Sequence, residues 1–170
     1  TSTITVAVDN ANSDDNFDSV TDQSVSATTT DDDVAGFTIV ESDGSTEVDE
    51  SGTTDTFTVV LDAQPASDVV LTITSDDTGE ATVNSPLTFT SPDWDTPQTV
   101  TVTGVDDDII DGTITSTITV AVDDANSDDN FDSVANETVS ATTTDDDVAG
   151  FTIVEADGST EVAESGSTDT

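Results

Sequence analysis

Apolar residues alternate with threonine, serine and other polar residues along most of this chain. The runs at 56–61, 69–74 and 99–103 show a period of two or are mostly β-branched, which is typical of strands. Gly, Pro, Asn and Asp fall between the runs, and helical spacing is missing. The pattern predicts an all-β, Ig-like, seven-stranded antiparallel β-sandwich, with strands near 37–48, 54–61, 69–75, 81–90, 98–104, 114–122 and 137–144.

The apolar positions of these strands predict the core of the sandwich. Trp94 lies in a Pro-Asp-Trp-Asp-Thr-Pro segment and is expected to cover one end of that core. The predicted core residues are Phe57, Val59, Leu61, Leu71, Ile73, Phe89, Val100, Val102, Ile118, Val120 and Val122.

The chain also contains an internal repeat with a period of 114 residues. Residues 1–56 return as residues 115–170, and only eight of the 56 aligned positions differ. A period of this length corresponds to a whole small domain in a tandem array. We therefore predict three segments: the last two strands of a preceding repeat at 1–33, a complete sandwich at 34–147, and the first strand and start of the second strand of a following repeat at 148–170.

Charge narrows the classes of function. The chain has 39 Asp and Glu residues and no Lys, Arg or His, which gives a formal net charge of −39. Nucleic acid is excluded as an electrostatic partner, because binding it requires basic side chains that displace counterions. No apolar run is long enough to insert into a membrane. The absence of Cys and His leaves carboxylates as the main candidates for catalysis, and we expect no enzymatic activity.

The acids are concentrated where predicted strands end. Connections in an antiparallel sandwich alternate between its two ends, so the first, third and fifth connections share one pole with the end of the last strand. Two carboxylates about 4 Å apart repel by roughly 4 kcal/mol at an effective dielectric near 20, so this pole needs cations from solution. The candidate ligands there are Glu50, Asp76, Asp77, Asp106, Asp107, Asp108, Asp111, Asp145, Asp146 and Asp147.

Calcium suits such a cluster better than magnesium, because calcium accepts a flexible set of oxygen ligands while magnesium keeps much of its water. An extended Asp triplet turns alternate carboxylates towards different ions, which predicts two or more ions. A solvated acidic face and a general adaptation to high salt are the alternatives. In the array, the acidic connection at 123–129 would face the triplet of the preceding repeat. The equivalents of the candidate ligands in the partial repeats are Asp31, Asp32, Asp33 and Glu164.

Several segments resemble the Calx-beta domain and related repeats of large bacterial surface proteins. The matching segments are 35–41, 48–52, 54–61, 98–104 and the triplet 145–147. The resemblance implies a β-sandwich that binds several calcium ions at one pole. The ligands that it implies are Glu50, Asp76 or Asp77, Asp106 to Asp108, and Asp145 to Asp147, while Asp111-Gly112 stands where the family has a glutamate.

These observations indicate a structural, calcium-stiffened tandem-repeat segment of a long extracellular surface protein, an adhesin stalk or a filament. Its expected partners are adjacent repeats of the same chain and other copies in a filament. One alternative is a module that binds carbohydrate or ice through threonine rows, such as Thr99, Thr101 and Thr103 or Thr115, Thr117 and Thr119. A regular threonine array across several adjacent strands would favour that module. The other alternative is a salt-adapted acidic spacer without specific calcium sites.

Overall fold

The alternating runs form strands in two separate units, Thr1–Val34 and Ala35–Thr170. This computed structural model describes residues 1–155, 158, 160–166 and 168. The first unit is an antiparallel hairpin of β1 (Ser2–Val6) and β2 (Gln23–Ala27), connected through a 3₁₀ helix at Asp15–Phe17. The predicted segment 148–170 lies partly outside the described residues, and its described part carries no strand.

The described residues of the second unit form nine strands. In chain order they are β3 (Phe37–Glu41), β4 (Thr46–Asp49), β5 (Thr54–Leu61), β6 (Val69–Ser75), β7 (Ala81–Val83), β8 (Leu87–Phe89), β9 (Gln98–Gly104), β10 (Ile114–Val122) and β11 (Glu137–Thr144).

These nine strands form two sheets. One sheet has the strand order β4-β11-β10-β6-β8, and the other has the order β3-β5-β9-β7. The predicted all-β, Ig-like sandwich is confirmed. One pairing departs from the antiparallel prediction, because β4 runs parallel to the last four residues of β11.

Two predicted strands are each divided between the sheets. The predicted strand 37–48 breaks at a turn in which Gly44 has a φ of +84°, and β3 and β4 therefore lie in different sheets. The predicted strand 81–90 breaks near Pro86, which has no N–H for a strand ladder, and β7 and β8 likewise lie in different sheets. Both divisions bring strand ends to the edges of the sandwich, where each edge strand has one partner.

The core lies between the two sheets. Ten of the eleven predicted core residues are buried, and Val122 is half-buried. Trp94 packs against the core with part of its surface exposed. Phe131, which the strand pattern did not include, is buried in the connection between β10 and β11, and it fastens that long connection to the sandwich.

Threonines lie side by side on the outer faces of both sheets. On β5 and β9, three pairs are directly opposite each other, including Thr56 with Thr101. On the other sheet, a row crosses three strands through Thr138, Thr119 and Thr74. The register thus supplies a threonine array across adjacent strands. Within the described residues, no helix is long and apolar enough to cross a membrane.

Candidate metal centre

Carboxylates from four segments meet at one end of the sandwich. One group consists of Glu50, Glu80 and Asp111, and a second consists of Glu50, Asp145 and Asp147. In each group, one carboxylate oxygen per residue lies within 4.8 Å of the others. Glu50 belongs to both groups, so the two groups form one continuous acidic centre.

Glu50 is placed by the parallel pairing of β4 with β11. Its backbone N–H continues the ladder by donating to the carbonyl of Thr144 at 3.1 Å. The chain then turns through Gly52, whose φ of +87° favours glycine and whose N–H donates to the carbonyl of Asp49. The Glu50 side chain is 1% exposed. This strand pairing therefore holds a carboxylate inside the pole rather than on its surface.

Glu80 comes from the other sheet, directly before β7. Its carbonyl accepts hydrogen bonds from the N–H of Val105 at 2.9 Å and from the hydroxyl of Thr143 at 3.3 Å. Val105 follows β9 and Thr143 belongs to β11, so these contacts fix Glu80 between the two sheets. Its side chain is 7% exposed. The first group thus joins the ends of both sheets.

Asp145 organises the other side of the centre. Its Oδ2 accepts from the N–H of Gly112 at 2.8 Å, and its Oδ1 accepts from the N–H of Asp147 at 2.7 Å. These backbone donors hold the pKa of the Asp145 carboxyl below its ordinary value. Asp145 is therefore an anion that connects the β9–β10 loop to the end of β11.

Within the part of the chain that the structure describes, three buried carboxylate oxygens of the centre have no hydrogen-bond partner: Oε1 of Glu50, Oε2 of Glu80 and Oδ2 of Asp147. Desolvation raises the pKa of all three carboxyls, and neighbouring carboxylates raise it further. A buried polar atom without a partner is costly, and a buried anion is more so. The buried carboxylates consequently lack a positively charged partner, since the chain contains no Lys, Arg or His.

The other predicted ligands are distributed around this centre. Asp107 and Asp108 are close enough to raise the pKa of Asp147, as does Asp146. The N–H of Asp146 also donates to Oε2 of Glu50 at 3.4 Å. Asp77 raises the pKa of Glu80. These four acids lie near the two groups without belonging to them.

Asp76 and Asp106 are outside both groups. Oδ1 of Asp76 accepts from the N–H of Thr117 at 2.6 Å, so this carboxylate is hydrogen-bonded to the backbone of β10. Asp106 is exposed. The equivalents in the partial repeats, Asp31, Asp32, Asp33 and Glu164, are exposed as well, whereas Glu50 is buried. The role of every candidate as a metal ligand stays a prediction.

The sequence analysis missed Glu80. It lies three residues after Asp77, in the same connection that had been assigned to this pole, so the alternation of connections contained the necessary signal. Glu80 directly precedes the predicted strand 81–90 and was not among the predicted ligands.

In the acidic connection at 123–129, the carboxylate of Asp128 binds backbone N–H groups. Asp128 is 4% exposed, and its Oδ2 accepts from the N–H groups of Ala66 and Ser67 at 2.7 and 2.9 Å. Its Oδ1 accepts from the N–H of Asn130. These donors lower the pKa of Asp128. This carboxylate fastens the connection to the loop that precedes β6.

No family model and no curated protein match the chain. Solved structures with a similar fold include apo-form Calx CBD1, with a TM-score of 0.46 and 16% identity over 65% of this chain and 98% of that chain. CBD12 from CALX1.2 matches with a TM-score of 0.45 and 16% identity, over 64% of this chain and 44% of that chain. The E. coli chaperone DraB matches with a TM-score of 0.45 and 7% identity, over 68% of this chain and 59% of that chain. At these identities the likeness concerns the fold alone.

Proposed function

We propose that the acidic centre binds calcium and that this binding stiffens a tandem-repeat protein. The observation that carries the proposal is the set of three buried, unpartnered carboxylate oxygens on Glu50, Glu80 and Asp147. All donors are oxygens, which suits a hard cation. Bound calcium would neutralise the buried anions and join the ends of the two sheets through Glu50 and Glu80.

Stiffening follows from the position of the Asp triplet in the chain. Asp147 belongs to the centre, and only Val148, Ala149 and Gly150 separate it from Phe151, the repeat equivalent of the first β3 residue. A cation held by Asp145 and Asp147 would therefore restrict the chain just before the next repeat. A stalk or filament of an extracellular surface protein needs such uniform, restrained joints, and extracellular calcium near millimolar fills even weak sites.

Calcium binding is tested by thermal unfolding of the calcium-free protein with and without added calcium, at matched ionic strength. A ligand at 100 times its Kd stabilises by about 2.7 kcal/mol, so we expect a clear rise in Tm. Glu50→Gln should remove most of that rise, because Glu50 belongs to both groups. Glu47→Gln is the matched control, since Glu47 is exposed on β4, the strand that leads directly to Glu50. An equal calcium-dependent rise in Tm in both variants, or no rise in the parent protein, would contradict the calcium site. The alternative, a salt-adapted acidic spacer, would then be favoured.

Stiffening has a separate test in a chain with two complete repeats. Small-angle scattering should report a more extended particle in calcium than in chelator, and Asp147→Asn should reduce the difference. If calcium raises the Tm but leaves the scattering curve unchanged, the calcium site stands and the stiffening role is wrong.

The threonine rows favour a second candidate, binding of carbohydrate or ice. Thr138, Thr119 and Thr74 present hydroxyl and methyl groups at the regular spacing of neighbouring strands, about 4.8 Å apart. The test is inhibition of ice recrystallisation together with binding to a glycan array. The replacement Thr119→Lys should abolish either activity, and a parent protein without activity in both assays would exclude this candidate.

A further inference from the structure

A groove opens along the edge of the sandwich where the chain crosses between sheets, with a volume of about 580 Å³. This volume is in the range of ligand-binding clefts. Phe37 and Ile39 of β3 line it from one sheet, and Val139 of β11 lines it from the other. Glu41 and Glu137 belong to the same lining, and Oε2 of Glu41 also accepts a hydrogen bond from the hydroxyl of Thr46 at 3.1 Å. The groove therefore combines apolar contacts with negative charge.

Among the described residues, both strands beside the groove have a backbone edge without a strand partner. β4 pairs with β11 only at residues 141–144, so residues 137–140 have their single ladder with β10. β3 pairs only with β5, which leaves its other side open. Unpaired N–H and C=O groups on such edges can form a ladder with an added strand. Four residues of β11 offer about 13 Å of edge, at about 3.3 Å per residue.

The charge of the chain decides which strand fits. A second copy would bring carboxylates to Glu41 and Glu137 and has no basic side chain to pair with them. We propose that this groove binds an extended, basic peptide segment of another protein, which adds a strand to the free edge of β11 at residues 137–140. Alternate apolar side chains of the guest pack on the half-buried Ile39, above the buried Phe37 and Val139, and its Lys or Arg residues pair with the two glutamates.

The probe is a synthetic peptide, acetyl-Lys-Thr-Val-Thr-Val-Thr-Val-Thr-Lys-amide, in which Lys and Val lie on the same face of an extended strand. It is titrated into the full chain in millimolar calcium so that the acidic centre is occupied. We expect slower exchange of those alternate amides of residues 137–140 whose N–H groups point away from β10, and NMR shift changes centred on β3 and the start of β11. A peptide with Glu in place of both Lys, and one with Pro in place of the central Val, should not bind. Shift changes centred elsewhere, equal binding of the Glu or Pro peptide, or no binding at millimolar peptide would each overturn the proposal.

Charge-matched variants separate this groove from the general acidity of the protein. The double variant Glu41→Gln and Glu137→Gln should weaken peptide binding by at least about threefold, consistent with two partly exposed ion pairs. The control pair Asp68→Asn and Asp95→Asn removes the same charge from exposed positions outside the groove lining. Equal weakening in both double variants would show attraction to net charge only and would refute the proposed site.

Discussion

The backbone N–H of Gly112 donates to Oδ2 of Asp145 at 2.8 Å, across 33 positions of the chain. This bond connects the β9–β10 loop, which carries Asp111, to the acidic segment after β11. One carboxylate thus brings together two segments that both contribute to the candidate metal centre.

We expect Asp145→Ala to loosen the β9–β10 loop even without calcium, because the N–H groups of Gly112 and Asp147 lose their acceptor. Hydrogen exchange of the Gly112 amide should become several-fold faster in the calcium-free protein. Asp146→Ala is the control, since its exposed side chain leaves this bond in place. Unchanged exchange in Asp145→Ala would mean that the loop is held by other contacts.

A second prediction concerns Gly104, where β9 ends against β4. A Cβ at this position would lie 2.8 Å from the carbonyl carbon of Asp49 and would collide with its carbonyl oxygen. Gly104→Ala should therefore destabilise the fold by about 1–3 kcal/mol, as overpacking does. It should also weaken calcium binding, because the displaced backbone leads directly to Glu50. Urea unfolding and calcium titration measure the two effects.

Gly150→Ala provides the control for that substitution. The nearest atom to a Cβ at Gly150 is the Val148 carbonyl oxygen at 4.0 Å, so the added methyl group has room. Equal urea midpoints for the two alanine variants would contradict the close packing of β9 on β4.

The alternation of polar and apolar residues was sufficient to predict the sandwich and most of its core, because period-two burial is a local property of each strand. It could not predict that the stretches 37–48 and 81–90 are each shared between two sheets. That division depends on turns whose direction is set by packing. The parallel β4–β11 pair is one consequence of the first division, and it places Glu50 inside the pole.

The candidate centre was partly predictable for a related reason. The alternation of connections predicts that Glu50, Asp111, Asp145 and Asp147 lie at one pole. It gave no information on which carboxylates point inwards, since that depends on hydrogen bonds such as the one between Asp76 and Thr117. Glu80 illustrates the same limit, because its burial results from contacts with residues far away in sequence.

The repeat supplies an internal control for a third prediction, on Asp128. Asp128→Ala should destabilise the sandwich by about 1–3 kcal/mol, because the N–H groups of Ala66 and Ser67 lose a charged acceptor. The equivalent residue in the first unit is Asp14, which is exposed and whose carboxylate accepts only from Asn16 in the described structure. Asp14→Ala should leave the urea midpoint of the sandwich nearly unchanged. Equal losses in the two variants would contradict the anchoring role of Asp128.

The last prediction is that calcium reverses the pH dependence of stability. Burial raises the pKa of Glu50, Glu80 and Asp147 in the folded protein. A group whose pKa is higher when folded binds its proton more tightly in the folded state, so its contribution to stability is lost as pH rises through the folded pKa. Without calcium, stability should therefore increase as the pH is lowered from neutral.

That increase should end in more acidic solution. The pKa values of Asp145 and Asp128 are lowered in the folded protein, so protonating these carboxylates removes stability below the ordinary value of 3.8. With calcium, stability should decrease steadily as the pH is lowered from neutral, because protons compete with the cation for the same oxygens. Urea midpoints across pH, with calcium-free and calcium-loaded protein, measure both curves. A calcium-free protein that loses stability steadily as the pH falls from neutral would show that burial does not raise the pKa of Glu50, Glu80 and Asp147.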